Sequence, residues 1–256
     1  VWRYLLCSGC EARFNQFETE VCERIFLPLH NRQEDRFRYG RAFTMFAVSV
    51  VWRALTLLRR EDRLAAFDEA PGSVDAAETT WRTFLLGKSR TPAPHVIHAL
   101  PMDIPVDLNT SELSPYWGRF VLRTPGMGAR FRGGSGYIIV KMGRLFLIGT
   151  VVPGPERQEW KRTQLHAEGG AWGVDKWHVP GWFYWHIDKG ARDLQRVEEG
   201  LSERQKRVSE QRIWEMVKED PDSVAASDAF RAFEADLGLF GDIVFQPPDE
   251  RTPSEG

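Results

Sequence analysis

Two β-rich runs, Gly136-Tyr-Ile-Ile-Val-Lys141 and Leu145-Phe-Leu-Ile-Gly-Thr-Val-Val152, are separated only by Met142-Gly143-Arg144. Branched and aromatic side chains favour extended backbone, and a short Gly-containing link between two such runs is a hairpin signal. That pair commits the chain to an antiparallel β region. Phe120-Val-Leu122 reads as a further strand, and Glu168-Gly-Gly-Ala-Trp-Gly173 as a turn. Between 92 and 115, Pro interrupts short apolar runs such as His95-Val-Ile-His98, which suits edge strands and loops.

Helical periodicity surrounds this region. Phe14, Phe17, Val21 and Ile25 share one face, Glu11, Arg13, Glu18, Glu20 and Arg24 the other, and Pro28 should end the helix. A second helix is predicted over 39–60, with Phe43, Phe46, Val50, Leu57 and Leu58 inward; apolar on several faces, it is the expected core helix. Ala70-Pro71-Gly72-Ser73 breaks the chain before a third helix over 74–86, stopped at Gly87. A long polar helix is predicted over 187–218, its Leu194, Val197, Leu201 and Val208 facing the body of the chain or a twin helix, and Asp220-Pro221 ends it. A last helix over 223–237 and a Pro-rich acidic tail follow. The fold class is α+β, in segments 1–30 (cysteine-bearing), 31–90 (helical), 91–186 (β-rich), 187–246 (C-terminal helices) and 247–256 (flexible tail).

Composition narrows the function. A net charge of −2 over 256 residues carries no whole-molecule signature of a nucleic-acid or membrane binder, so any such role needs a local patch. The most apolar stretch, 42–52, is far shorter than the roughly 20 residues of a membrane span. Three cysteines make no disulfide scaffold. A cytoplasmic protein without membrane contact is expected, a monomer with a dimer left open. The chain starts at Val1 with a core-like Trp2-x-Tyr4-Leu5-Leu6 run, as a truncated piece would.

The segment Leu5-Leu6-Cys7-Ser8-Gly9-Cys10-Glu11-x-x-Phe14 resembles the distal half of bacterial HNH (ββα-metal) endonuclease-like zinc proteins, in which a Leu-Cys-x-x-Cys turn opens the motif's helix. Residues 1–30 are, on this resemblance, the distal half of such a motif. It implies Cys7 and Cys10 as structural zinc ligands, completed by two ligands from elsewhere. It also implies a general-base His upstream of Val1 and a divalent metal for phosphodiester hydrolysis when the protein is intact. Asn15 and Glu18 fall where such proteins place metal-facing residues; a solvated helix face is the plainer reading. Cys22 reads as a buried small hydrophobe, or with His30 as completing a set with Cys7 and Cys10.

From 113 to 155 there is no Asp or Glu, while Arg119, Arg123, Arg130, Arg132, Lys141 and Arg144 are all cationic, interleaved with Phe131 and Gly-rich loops. DNA- or RNA-backbone surfaces have this make-up, and so does a basic sheet face paired with acidic C-terminal helices. Trp172 to His186 holds four Trp and two His, which suits a ligand pocket or a buried aromatic cluster. P-loop, dinucleotide, G-x-S-x-G and H-E-x-x-H motifs are absent from the sequence. The leading expectation is the C-terminal body of an HNH-like, zinc-containing nucleic-acid-interacting protein, an endonuclease when intact. The alternative is a non-catalytic zinc-stabilised module that binds a ligand or partner.

Overall fold

The computed structural model describes residues 7–31, 34, 36–102, 113–173, 177–205, 207, 208 and 211. Helix α1 (Ser8–Val21) starts directly after Cys7, passes through a π-helical turn (Cys22–Phe26) and continues as α2 (Leu27–His30). Pro28 therefore does not end the helix. It sits at the start of α2, directly after the π-helical turn that shifts the hydrogen-bond pattern ahead of it. Then follow β1 (Arg36–Gly40), α3 (Arg41–Arg60), α4 (Ser73–Leu85), β2 (Ile97–Pro101), α5 (Trp117–Arg123) and β3 (Gly126–Arg132). The series closes with β4 (Ser135–Met142), β5 (Leu145–Val152), β6 (Gly169–Gly173) and α6 (Gly181–Glu199). The class is α+β, as the pattern of runs requires.

The chain divides into two compact units, Val1–Met102 with Thr124–Phe183, and Asp103–Arg123 with Tyr184–Gly256. In the first, four antiparallel strands lie in the order β2-β5-β4-β3. The expected hairpin is there, with Met142 opposite Leu145. Helix α3 is the centre of the core: Ala47, Val48, Val51, Leu55 and Leu58 are buried with Ile138, Val140, Leu147 and Val151 of the sheet. Among the described residues α3 is the helix long and apolar enough to cross a bilayer, and its apolar face is spent on this core. Gly149 makes the close packing possible, because a Cβ there would lie 2.3 Å from Val51 Cγ1 and 2.8 Å from Trp81 Cζ2. On the alternate strand positions Tyr137 meets Trp160 and Trp182, and Phe146 meets Phe183. Cover on both faces explains why β4 and β5 read as nearly unbroken apolar runs.

A second, two-stranded sheet joins β1 to β6, with Phe37 opposite Trp172. Gly169–Gly173 is thus strand where a turn is predicted, while Glu168 lies in a turn before it. Gly169 permits it: φ is +111°, and a Cβ would lie 2.3 Å from the Tyr39 carbonyl oxygen. The free edge of β2 is covered by the segment around Thr163. The Ala99 N–H donates to the Thr163 carbonyl at 2.9 Å, and the Leu165 N–H donates to Ile97 at 2.8 Å.

In the second unit, Phe120-Val-Leu122 lies in helix α5, a correction to the strand reading. A short apolar run has no period long enough to separate the two. Helical geometry lets Val121 and Leu122 be buried while the Phe120 ring packs on Gly190, where a Cβ would lie 2.3 Å away. Buried Asp188 accepts from the Ser114 N–H and from Arg192 Nε, both at 2.7 Å. Helix α6 starts at Gly181 rather than 187 and ends at Glu199, before Gly200. Of the expected stripe, Leu194 and Leu201 are half-buried, while Val197 and, beyond α6, Val208 are exposed and do not face the body. The helix predicted over 223–237 and the tail lie outside the described residues.

Candidate functional site

Strand alternation builds the site twice over. In β1, Phe37 and Tyr39 are buried while Arg36 and Arg38 face out. Along the covered edge of β2, Thr163 and Leu165 are buried while Arg162, Gln164 and His166 face the other way. These two outward rows line one cavity of about 580 Å³, with Phe37, Ala171, Trp172 and Gly173 of the β1–β6 ribbon supplying the rest of its wall.

Three buried or half-buried groups tie the walls together. The Trp172 indole N–H donates to the Ala99 carbonyl at 2.8 Å, and its ring centroid lies 5.6 Å from that of Phe37. The His166 backbone N–H donates to the Tyr39 hydroxyl at 3.0 Å, and burial raises the Tyr39 pKa, which keeps it a neutral phenol. The Thr44 hydroxyl donates to the His166 carbonyl at 2.8 Å. Beneath the edge segment, His98 Nδ1 meets Thr163 Oγ1 at 2.8 Å.

Arg162 has φ of +61°, in the left-handed region that costs a non-glycine residue on the order of 1–3 kcal/mol. Its neighbour Thr163 is locked to β2, so the surrounding structure holds the conformation. Among the described residues no carboxylate lines the cavity, and neither Arg38 nor Arg162 makes an ion pair. Glu168, two residues past His166, is paired with Arg41 at 3.0 Å. Guanidiniums such as those of Arg38 and Arg162, lining one cavity with no described carboxylate, suit an anion, and planar N–H forks match carboxylate or phosphate oxygens in pairs.

Of the six cations of the acid-free run, Lys141 and Arg144 are buried. Lys141 donates to the Thr124 carbonyl and lies 5.7 Å from the Phe146 ring centroid; burial pushes its pKa down to about 7. Arg144 Nη1 donates to Leu29 at 2.6 Å and its Nε to Met102 at 3.2 Å, both carbonyls. Arg119 belongs to α5, where it pairs with Glu198 and stacks over Tyr116. Arg130 and Arg132 share one face of β3 and keep solvent exposure. The Arg123 side chain lies outside the described residues. A charge count along the chain ignores alternation, which turns Lys141 inward, and the use of Arg144 to bond loose carbonyls.

Cys7 is exposed and Cys10 partly so, on the first turn of α1. The Cys10 backbone amide, then the Cys10 thiol, hold the Cys7 thiol below its usual pKa, and Cys7 in turn raises that of Cys10. Two sulfurs on one turn fit two corners of a zinc tetrahedron. Among the described residues no group of three or more His, Cys, Asp or Glu completes such a set. Cys22 is exposed, which corrects the buried reading, and His30 stacks on Phe26 with ring centroids 5.8 Å apart. Glu18 is engaged by Arg53 at 2.5 Å, tying α1 to α3, and Asn15 is exposed.

The Trp172–His186 run is split. Trp172 lines the cationic cavity, Trp182 is buried with Trp160 and Phe183, Trp185 is exposed, and 174–176 lie outside the described residues. His95 and His98 are buried core histidines, both with pKa lowered chiefly by burial, His98 to about 3.

The residues that sequence reasoning missed are Arg36, Arg38, Arg162, Gln164 and His166. Their signal is the strict alternation of Arg-Phe-Arg-Tyr and of Arg-Thr-Gln-Leu-His. No family model, curated protein or solved structure matches the chain.

Proposed function

We propose that this chain is a cytoplasmic nucleic-acid-binding protein that holds phosphate groups of DNA or RNA in the cavity between β1 and the edge segment 162–166. The observation that carries this reading is that Arg38 and Arg162 line one cavity, together with Arg36, and that its described lining holds no carboxylate. Phosphate contacts of this kind supply the sequence-independent part of nucleic-acid affinity. Gln164 and the His166 ring add neutral hydrogen-bonding groups beside the charges. The resemblance of 5–14 to HNH-like zinc proteins supports the same class. On it, Cys7 and Cys10 hold a structural zinc with ligands from elsewhere, and a divalent metal supplies the Lewis acidity for phosphodiester hydrolysis in the intact protein.

Fluorescence anisotropy with a labelled single-stranded oligonucleotide tests the reading. Binding should weaken steeply as salt rises, since each neutralised phosphate releases counterions. Arg38→Glu should abolish most of the binding, while Arg132→Glu on β3 should change it little. Equal losses from the two variants, or no binding at low salt, would overturn the assignment.

A further inference from the structure

Building on the phosphate-directed reading above, we infer that the cavity takes a nucleotide phosphomonoester, either the terminal phosphate of a strand or a free mononucleotide, in preference to an internal phosphodiester.

The shape favours a single nucleotide-sized ligand. A site that tracks a backbone is a long groove, whereas this is one cavity of about 580 Å³, within the roughly 300–1,000 Å³ range of small-molecule sites. The charge favours a monoester. A phosphomonoester carries about −1.5 to −2 at neutral pH and three terminal oxygens, whereas an internal diester carries a single negative charge spread over two. Two guanidiniums in one cavity, Arg38 on the ribbon and Arg162 on the sheet edge, offer donors for a third terminal oxygen, which a monoester has and an internal diester lacks.

Beside the guanidiniums the cavity is lined by Gln164, His166, Ala171 and Gly173, with Phe37 and Trp172 nearly buried behind them, a wall that gives a ligand room for a body as well as a charged group. Inorganic phosphate would leave that wall unused, and a nucleoside would cover it. The strained backbone of Arg162 is a second, independent mark of the same position: a left-handed conformation persists where surrounding structure enforces it, and such residues cluster at ligand sites.

The test compares matched single-stranded oligonucleotides by anisotropy: 5′-phosphorylated, 3′-phosphorylated, hydroxyl at both ends, and covalently circular. Adenosine 5′-monophosphate, adenosine and inorganic phosphate serve as competitors. A phosphorylated end should bind at least about tenfold tighter than the hydroxyl-ended or circular strand, the size expected of one or two added charge-assisted hydrogen bonds. Adenosine monophosphate should compete better than inorganic phosphate, and adenosine not at all. A phosphorylated strand much tighter than the mononucleotide makes the strand end the natural source; similar affinities make it the free nucleotide. Arg162→Gly, whose fold is checked by thermal unfolding, should erase the preference for the monoester.

Equal binding of all four oligonucleotides would overturn this inference and leave the nucleic-acid reading standing. Binding of the mononucleotide with none to any oligonucleotide would overturn the nucleic-acid reading and keep the monoester pocket. Absence of binding to every probe would overturn both.

Discussion

The indole N–H of Trp172 donates to the carbonyl of Ala99 at 2.8 Å, so the ribbon that forms one wall of the cationic cavity is bonded directly to the strand whose edge carries the other. Trp172→Phe keeps an aromatic ring there and removes this bond. Losing a buried hydrogen bond costs about 1–3 kcal/mol, and the two walls lose a tether. Urea denaturation should show that loss, and oligonucleotide binding should weaken several-fold. Unchanged stability would mean that the indole bond does not hold the wall.

Arg162→Gly separates strain from function. Glycine adopts positive φ freely, though it also gains freedom in the unfolded chain. Stability should therefore stay level or rise by up to about 1 kcal/mol, while phosphate binding falls. A variant that loses both would place Arg162 among structural residues.

Gly149→Ala should destabilise by about 1–3 kcal/mol, since its Cβ would sit 2.3 Å from Val51 Cγ1 and α3 cannot retreat from the sheet cheaply. In a double-mutant cycle with Val51→Ala, part of that loss should return as a favourable coupling. Additive losses would show that Trp81, 2.8 Å from the same Cβ position, sets the limit.

His98 gives a pH dependence whose sign can be worked out. Burial, aided by the charge of Arg157, holds its pKa at about 3 in the folded chain, against 6.5 for an ordinary histidine. Between these values the unfolded chain binds a proton that the folded chain does not. Stability is thus fully present above about pH 6.5 and falls as the pH drops towards 3, by up to about 1.4 kcal/mol per pH unit. Denaturation midpoints measured at neutral and mildly acidic pH should show this slope, and His98→Gln should flatten it. An identical slope in the variant would assign the proton elsewhere.

The cysteine turn predicts an order of reactivity. The Cys10 amide favours the Cys7 thiolate, so Cys7 should be alkylated by iodoacetamide before Cys10 at neutral pH. Peptide mapping after brief labelling reads this out. Cys10 reacting first would reverse the assigned roles.

What could be read from the sequence followed the strength of each local period. The β4–β5 hairpin and α3 were legible because each has a long run of one periodicity, and both are buried deeply enough for that run to be uninterrupted. The cavity was not. Strand β1 is five residues long and passes straight into α3 at Arg41, so its period-2 signal is swamped by the helical one. Strand β6 is Gly-Gly-Ala-Trp-Gly, which has almost no strand-forming side chains and exists because Tyr39 and its neighbours offer it an edge. The acid-free run misled for a related reason: Lys141 and Arg144 are cations in the sequence but internal donors in the fold.

Tyr39 and His166, whose hydrogen bond joins the ribbon to the edge segment, are 127 residues apart in the chain. At the roughly 5–20 residues per second of synthesis, the first wall emerges on the order of ten seconds before the second. Arg36 and Arg38 spend that interval without the edge segment that makes them a site. On the phosphate-binding proposal, a nascent chain would pass its own messenger and the ribosomal RNA with that capacity still unassembled, and gain it when β6 docks.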